Sequence, residues 1–163
     1  MAVKFIDNSI EVKAALNDKT MGWLNTWGNE IASHARDNCS MTDDDGQLRG
    51  SYRATRRYEN HVKVGTALEA GLWEEYGTGE QAVKSPHRSG WWVYIKGGSG
   101  YEGATNHYKS QAEAETMAAY IRKKYNRPAV ATNGRPPHYT LETAFKVKKD
   151  PAIADLERIL KGL

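Results

Sequence analysis

The residues in this chain best able to do chemistry are five histidines, one cysteine and a run of three aspartates, and their spacing restricts all of them. His34, His61, His87, His107 and His138 are scattered, with no His-x-x-x-His pair to aim two rings at one zinc or copper ion. Cys39 follows His34 by five residues and could be a nucleophile beside a base, but a lone half-buried thiol is the simpler reading. Asp43-Asp44-Asp45 before Gly46 begins like a calcium loop. It departs where Leu48 takes the place of the sixth-position glycine and Ala54 that of the bidentate glutamate, which leaves a solvated acidic loop. Glu69, Glu74 and Glu75 could move protons, yet no nucleophile, oxyanion donor or cofactor motif accompanies them, so they are expected on the exposed side of a short helix. Gly97-Gly98-Ser99-Gly100 lacks the Gly-Lys-Ser or Gly-Lys-Thr ending of a phosphate loop. The expectation is a protein that is not an enzyme, with no catalytic residue, no cofactor and no metal.

Charge and aromatic residues point instead to contact surfaces. Glu30 to Gly46 carries five acids and one base, Gln47 to Thr66 five bases and one acid, and Glu69 to Glu80 four acids and no base. Blocks of opposite sign allow identical subunits to meet head to tail through unlike patches, and pairing within the chain is the equal alternative. Arg53, Arg56 and Arg57 beside Tyr52 and Tyr58 combine basic and aromatic groups as single-strand binders do, but the flanking acids favour a protein partner. The large aromatics best able to anchor a partner are Trp73, Tyr76, Trp91, Trp92 and Tyr94.

The elements that must position these groups follow from length and pattern. With 163 residues and 39% apolar side chains, one domain with a modest core is expected. The net charge of +3 is far below that of a dedicated duplex-DNA binder. A single cysteine and an N-terminus without signal-peptide character suggest a reducing cytoplasm, and no apolar run reaches the ~18 residues of a membrane span.

A helix is predicted from Ser9 to about Asp37, with Ile10, Ala14, Met21, Leu24, Ile31 and Ala35 on one face, weakened at Asn17, Asp18, Gly22 and Gly28 and open to division near Asn17 to Thr20. Ser40 to Gly50 reads as a loop, and Ser51 to Arg57 with His61 to Thr66 as a hairpin. Ala67 to Tyr76 reads as a helical turn stopped at Gly77, and Gly90 to Lys96 as the strongest strand. In that strand Trp91 and Val93 share one face and Trp92 and Tyr94 the other, with the inward face undecided. Ser110-Gln111-Ala112-Glu113 opens a helix as a capping box, and Arg122, Lys123 and Lys124 suit its end. Arg127 to Ala131 reads as a strand, Asn133 to Pro137 as a turn, Tyr139 to Val147 as a short helix, and Asp150-Pro151 as the start of a last one. The order lacks regular βαβ units. It predicts an α+β fold: a long N-terminal helix on a small, mainly antiparallel sheet, with an inserted strand-helix lobe and C-terminal helices.

Three segments in order carry a family likeness. Gly46-Gln47-Leu48-Arg49-Gly50-Ser51-Tyr52 resembles the "G-x-L-x-x-S" element after the first helix of the minor tail-component and neck family of siphophages. His61 to Thr66 followed by Leu72-Trp73-Glu74-Glu75-Tyr76-Gly77-Thr78-Gly79 resembles its strand and "Y-x-x-x-x-E-x-G-T" helix turn, with Ala70 where the tyrosine would stand. Gly134-Arg135-Pro136-Pro137 with Thr140 to Phe145 resembles the closing "R-P-F-x-x-x-A" segment, with Pro137 in place of phenylalanine and Ala144 later than the pattern asks. Residues 80–133 form an insert between motifs that lie close together in the short form of the family.

The resemblance implies a single head-to-tail joining domain over residues 1–163, closing as a sixfold or twelvefold ring in the phage neck. Its partners would be copies of itself, head-completion proteins, and tail-terminator or tail-tube proteins. DNA would pass through the lumen without specific recognition, no membrane would be involved, and assembly would occur in the host cytoplasm. Interface residues would be Leu48, Arg49, Arg53, Arg56, Arg57, Trp73, Tyr76, Gly77, Thr78, Gly79, Arg135, Pro136 and Pro137. The alternatives are a tail-terminator ring at the top of the tail tube, or a nucleic-acid-binding accessory protein using Arg53, Arg56, Arg57 and the cluster Arg122, Lys123 and Lys124.

Overall fold

In the computed structural model, which describes residues 9–40, 46–58, 61–84, 89–96 and 107–162, α1 runs unbroken from Ser9 to Asn38. Asn17 to Thr20 does not divide it. Its buried positions are Met21, Gly28, Ala32 and Ala35, so the apolar stripe works only in the later turns. Residues 9–19 are exposed, Ile10 at 81%. The hairpin is present as β1 (Arg53–Tyr58) and β2 (His61–Gly65), antiparallel, with Arg53 opposite Gly65 and a shift in register after Arg56.

Two compact units divide the chain where the sequence was read as one domain with a lobe. The first combines Met1–Asn38, Ser51–Thr66 and Leu141–Leu163, and the second Cys39–Gly50 and Ala67–Thr140. The fold class is α+β.

In the first unit α1 packs on the hairpin at Gly28. A Cβ there would lie 2.6 Å from Val62 Cγ1 and 3.3 Å from Ala54 Cβ, so the glycine that weakens the apolar stripe lets helix and strands approach closely. The last helix, α5, is continuous from Thr140 to Lys161 with Pro151 inside it, not two helices parted at Asp150. Proline removes a backbone donor and crowds the preceding turn, a cost of about 3 kcal/mol. Tertiary contacts just beyond it hold the helix together: Ala152 is buried, Trp23 Nε1 donates to Ala152 O at 2.9 Å, and Trp27 Nε1 donates to Asp155 Oδ2 at 3.0 Å. Lys148 Nζ adds an ion pair to Glu30 Oε2 at 2.8 Å.

The second unit holds a short helix α2 (Gln47–Ser51, its last residue in the first unit), where a loop was expected. One turn is too brief to show a period. Gly46, at φ 66°, starts it, and Gly50 N donates to Gly46 O at 2.9 Å. The acidic stretch Asp43 to Asp45 lies outside the described residues. Next come α3 (Ala70–Tyr76), β3 (Thr78–Gly79), β4 (Trp92–Ile95), α4 (Gln111–Tyr125), β5 (Ala129–Thr132) and β6 (Gly134–Arg135). Strands β4 and β5 pair antiparallel, Trp92 opposite Thr132. Val93, Ala114, Ala118 and Ala129 form the buried cluster, with Trp91, Ile95, Met117 and Ile121 against it. The Trp91 and Val93 face therefore turns toward α4, and Tyr94 on the other face is 38% exposed. Ser110 Oγ accepts from Glu113 N at 3.3 Å, as the capping box requires, while Glu113 Oε2 accepts from Lys109 N at 3.1 Å.

Candidate functional site

In the second unit, α3 and the Arg135 to Thr140 segment meet around one buried carboxylate. Helix α3 turns Gly71, Glu74 and Glu75 inward and leaves Leu72 59% exposed. Glu69 is exposed as expected, while Glu74 and Glu75 invert the expectation of an outer side, because polar partners of Glu74 from other segments wait on the inner one.

Glu74 is 0% exposed. Its Oε1 accepts from Ser40 N at 2.6 Å, Ser40 Oγ at 2.8 Å and Thr140 Oγ1 at 3.0 Å. Its Oε2 lies 3.3 Å from Arg135 Nη2 and has no hydrogen-bond partner among the described residues. His138 Nδ1 is 3.4 Å from Oε1 and 3.1 Å from Thr140 Oγ1, and His138 N donates to Glu74 O at 2.9 Å. The hydroxyls act as relays: Ser40 Oγ gives its proton to Glu74 and accepts from Arg135 Nη2, and Thr140 Oγ1 gives its proton to Glu74 and is free to accept from His138. Burial is the largest single influence on this carboxyl and pushes its pKa up. The bonds from Ser40 and Thr140 and the Arg135 charge outweigh it together and hold the group below its ordinary value.

A carboxylate stabilised in this way is a weak base, and both nearby hydroxyls spend their protons on it. The arrangement suits holding Ser40, α3 and the Arg135 to Thr140 segment together better than moving protons. Among the described residues no group of three or more His, Cys, Asp or Glu side chains could hold a metal ion.

A two-strand stem lies beside the carboxylate. Thr78 pairs with Arg135 and Gly79 with Gly134, Glu80 N donates to Asn133 O at 2.9 Å, and Asn133 Nδ2 donates to Glu80 Oε2 at 3.2 Å. Residues 80–133 therefore leave and return at one point. Gly77, at φ 77°, has no room for a side chain: a Cβ would lie 2.6 Å from Arg135 O and 2.9 Å from Pro137 N. At Gly79, φ 60°, a Cβ would overlap Asn133 O and the Trp92 ring.

The expected interface residues separate into groups. Gly77, Thr78, Gly79, Arg135, Pro136 and Pro137 come together at the stem, Pro136 exposed and Pro137 half-buried. Trp73 and Tyr76 are half-buried on α3, and Lys84 Nζ lies 3.7 Å from the Tyr76 ring centroid. Leu48 is 1% exposed, which removes it from any surface a partner could reach, while its neighbour Arg49 is exposed. Arg53 and Arg56 belong to the first unit, are exposed, and form no ion pair with a described residue. Arg57 lies in β1, but its side chain is outside the described part. Sequence reasoning missed Ser40, Glu74, His138 and Thr140 as one cluster. The available signal was the opposite charge of Glu74 and Arg135 in two segments that the resemblance sets side by side.

Comparison with known proteins finds no matching family model, no matching curated protein and no matching solved structure.

Proposed function

We propose that this chain is a structural subunit of a tailed-phage neck, closing with copies of itself into a sixfold or twelvefold ring that joins the head-completion complex to the tail and lets DNA pass. The observation that carries this reading is the stem. The glutamate helix turn and the Gly134 to Pro137 segment, contiguous in the short form of the resembled family, are here joined by β3 and β6 pairing across an excursion of residues 80–133.

The charge layout supports the same reading. Glu30 and Glu74 are paired within the chain to Lys148 and Arg135, which lie outside the basic block, while Arg53 and Arg56 keep their charges available. No helix among the described residues is long and apolar enough to cross a membrane. The test is a phage lacking the gene, together with native mass spectrometry of the purified chain. Tailless heads and closed oligomers are the expected results, and normal tail attachment in the mutant particles overturns the proposal.

A further inference from the structure

The C-terminal end of α4 carries a surface that the neck reading leaves unused. Tyr120 and Tyr125 are 48% and 57% exposed on the last turns of α4, away from the core cluster beneath the helix. Their ring centroids are 6.3 Å apart at 84°, edge to face. Lys124 Nζ lies 5.1 Å and 5.2 Å from the two centroids and donates to Tyr120 Oη at 2.6 Å.

Further cations are close along the chain. From residue 116 to residue 141 the sequence has no acid and five bases, Arg122, Lys123, Lys124, Arg127 and Arg135. Arg135 is committed to Glu74, and Arg122 Nη1 is anchored on Ala129 O at 2.7 Å, which fixes its position but leaves its charge uncancelled. Lys123, Lys124 and Arg127 are exposed and pair with no described acid. Four positive charges are more than is needed to offset the partial negative charge of a helix C-terminus.

From this arrangement we infer that the C-terminal end of α4 docks single-stranded nucleic acid, with bases stacking on Tyr120 and Tyr125 and phosphates meeting Lys123, Lys124 and Arg127. Exposed flat rings rimmed by cations match a ligand that alternates planar faces with anions. An acidic peptide supplies the charge but not the planar faces, and a duplex keeps its base faces stacked inside. The inference does not depend on ring formation.

The test is fluorescence anisotropy of the full chain with labelled oligothymidylate and oligouridylate of about 20 nucleotides, and with a duplex of equal length, at low and high salt. Single strands should bind at low salt and weaken steeply as salt rises, with the better of the two showing whether DNA or RNA is the source. Tyr120→Leu with Tyr125→Leu should weaken binding at least about fivefold. Lys123→Glu, Lys124→Glu and Arg127→Glu together should abolish it, while Arg53→Glu with Arg56→Glu, in the other unit, should leave it unchanged. All these positions are exposed, and circular dichroism checks that each variant folds. No binding at low salt, equal affinity for duplex, indifference to the tyrosines, or loss through Arg53 and Arg56 overturns the inference.

Discussion

Glu74 is a charge removed from water that keeps its proton off because every donor around it is committed. Replacing it with alanine leaves the Ser40 amide and two hydroxyls without their shared acceptor and the Arg135 guanidinium without its counter-charge. Bonds to a charged acceptor contribute about 1.5–3 kcal/mol each, and Arg135 recovers part of its loss in solvent, so Glu74→Ala should destabilise by about 3 kcal/mol in urea unfolding. The pH dependence has a defined sign. Folding lowers this carboxyl below its ordinary value of 4.5, so its stabilisation is complete above that value and disappears as pH falls through the folded one. A Glu74→Gln variant should therefore show a flatter loss of stability in acid than the parent chain. None of this was legible locally, since a carboxylate at one edge of a short helix looks the same in sequence whether it meets water or Ser40, 34 residues away, and Thr140, 66 residues away.

At the scale of elements, local signals served well wherever local physics decides. The hairpin, the Gly77 stop, the aromatic strand and the Ser110 cap each depend on neighbours within a few residues, and each is present. The misplaced break at Pro151 arose where distant contacts override propensity, through the tryptophan bonds from α1, whereas α2 is a single turn too short to show a period. Pro151→Ala should raise stability by about 1–2 kcal/mol by restoring a helical donor, partly offset by a freer unfolded chain, and chemical denaturation would measure it. Gly28→Ala should do the opposite despite alanine's better helix propensity. Its methyl group meets a stiff β-branched Val62, and overpacking of that kind costs about 1–3 kcal/mol. Pairing it with Val62→Ala should recover much of the loss, and a double-mutant cycle with a coupling near zero would count against a direct clash.

At the scale of the whole molecule, the division into two units was not visible in composition, because neither unit is a continuous stretch of sequence. Assembly, if it proceeds through unlike charged patches, should depend on the free arginines of the hairpin. Arg53→Glu with Arg56→Glu should reduce self-association in analytical ultracentrifugation, and high salt should weaken the parent oligomer in the same direction. The stem has a further consequence for how such a chain can vary. With Gly79 and Gly134 on facing rungs, residues 80–133 begin and end at one place, and they also brace the segments that hold Glu74. Val83 N donates to Tyr76 O, Lys84 lies over the Tyr76 ring, and the Trp92 ring fills the space beside Gly79. A foreign guest whose own termini are neighbours should therefore leave the carboxylate clasp intact only where residues 80–84 and the Trp92 strand are kept, and a two-residue Asn-Gly link in place of the whole excursion should loosen it.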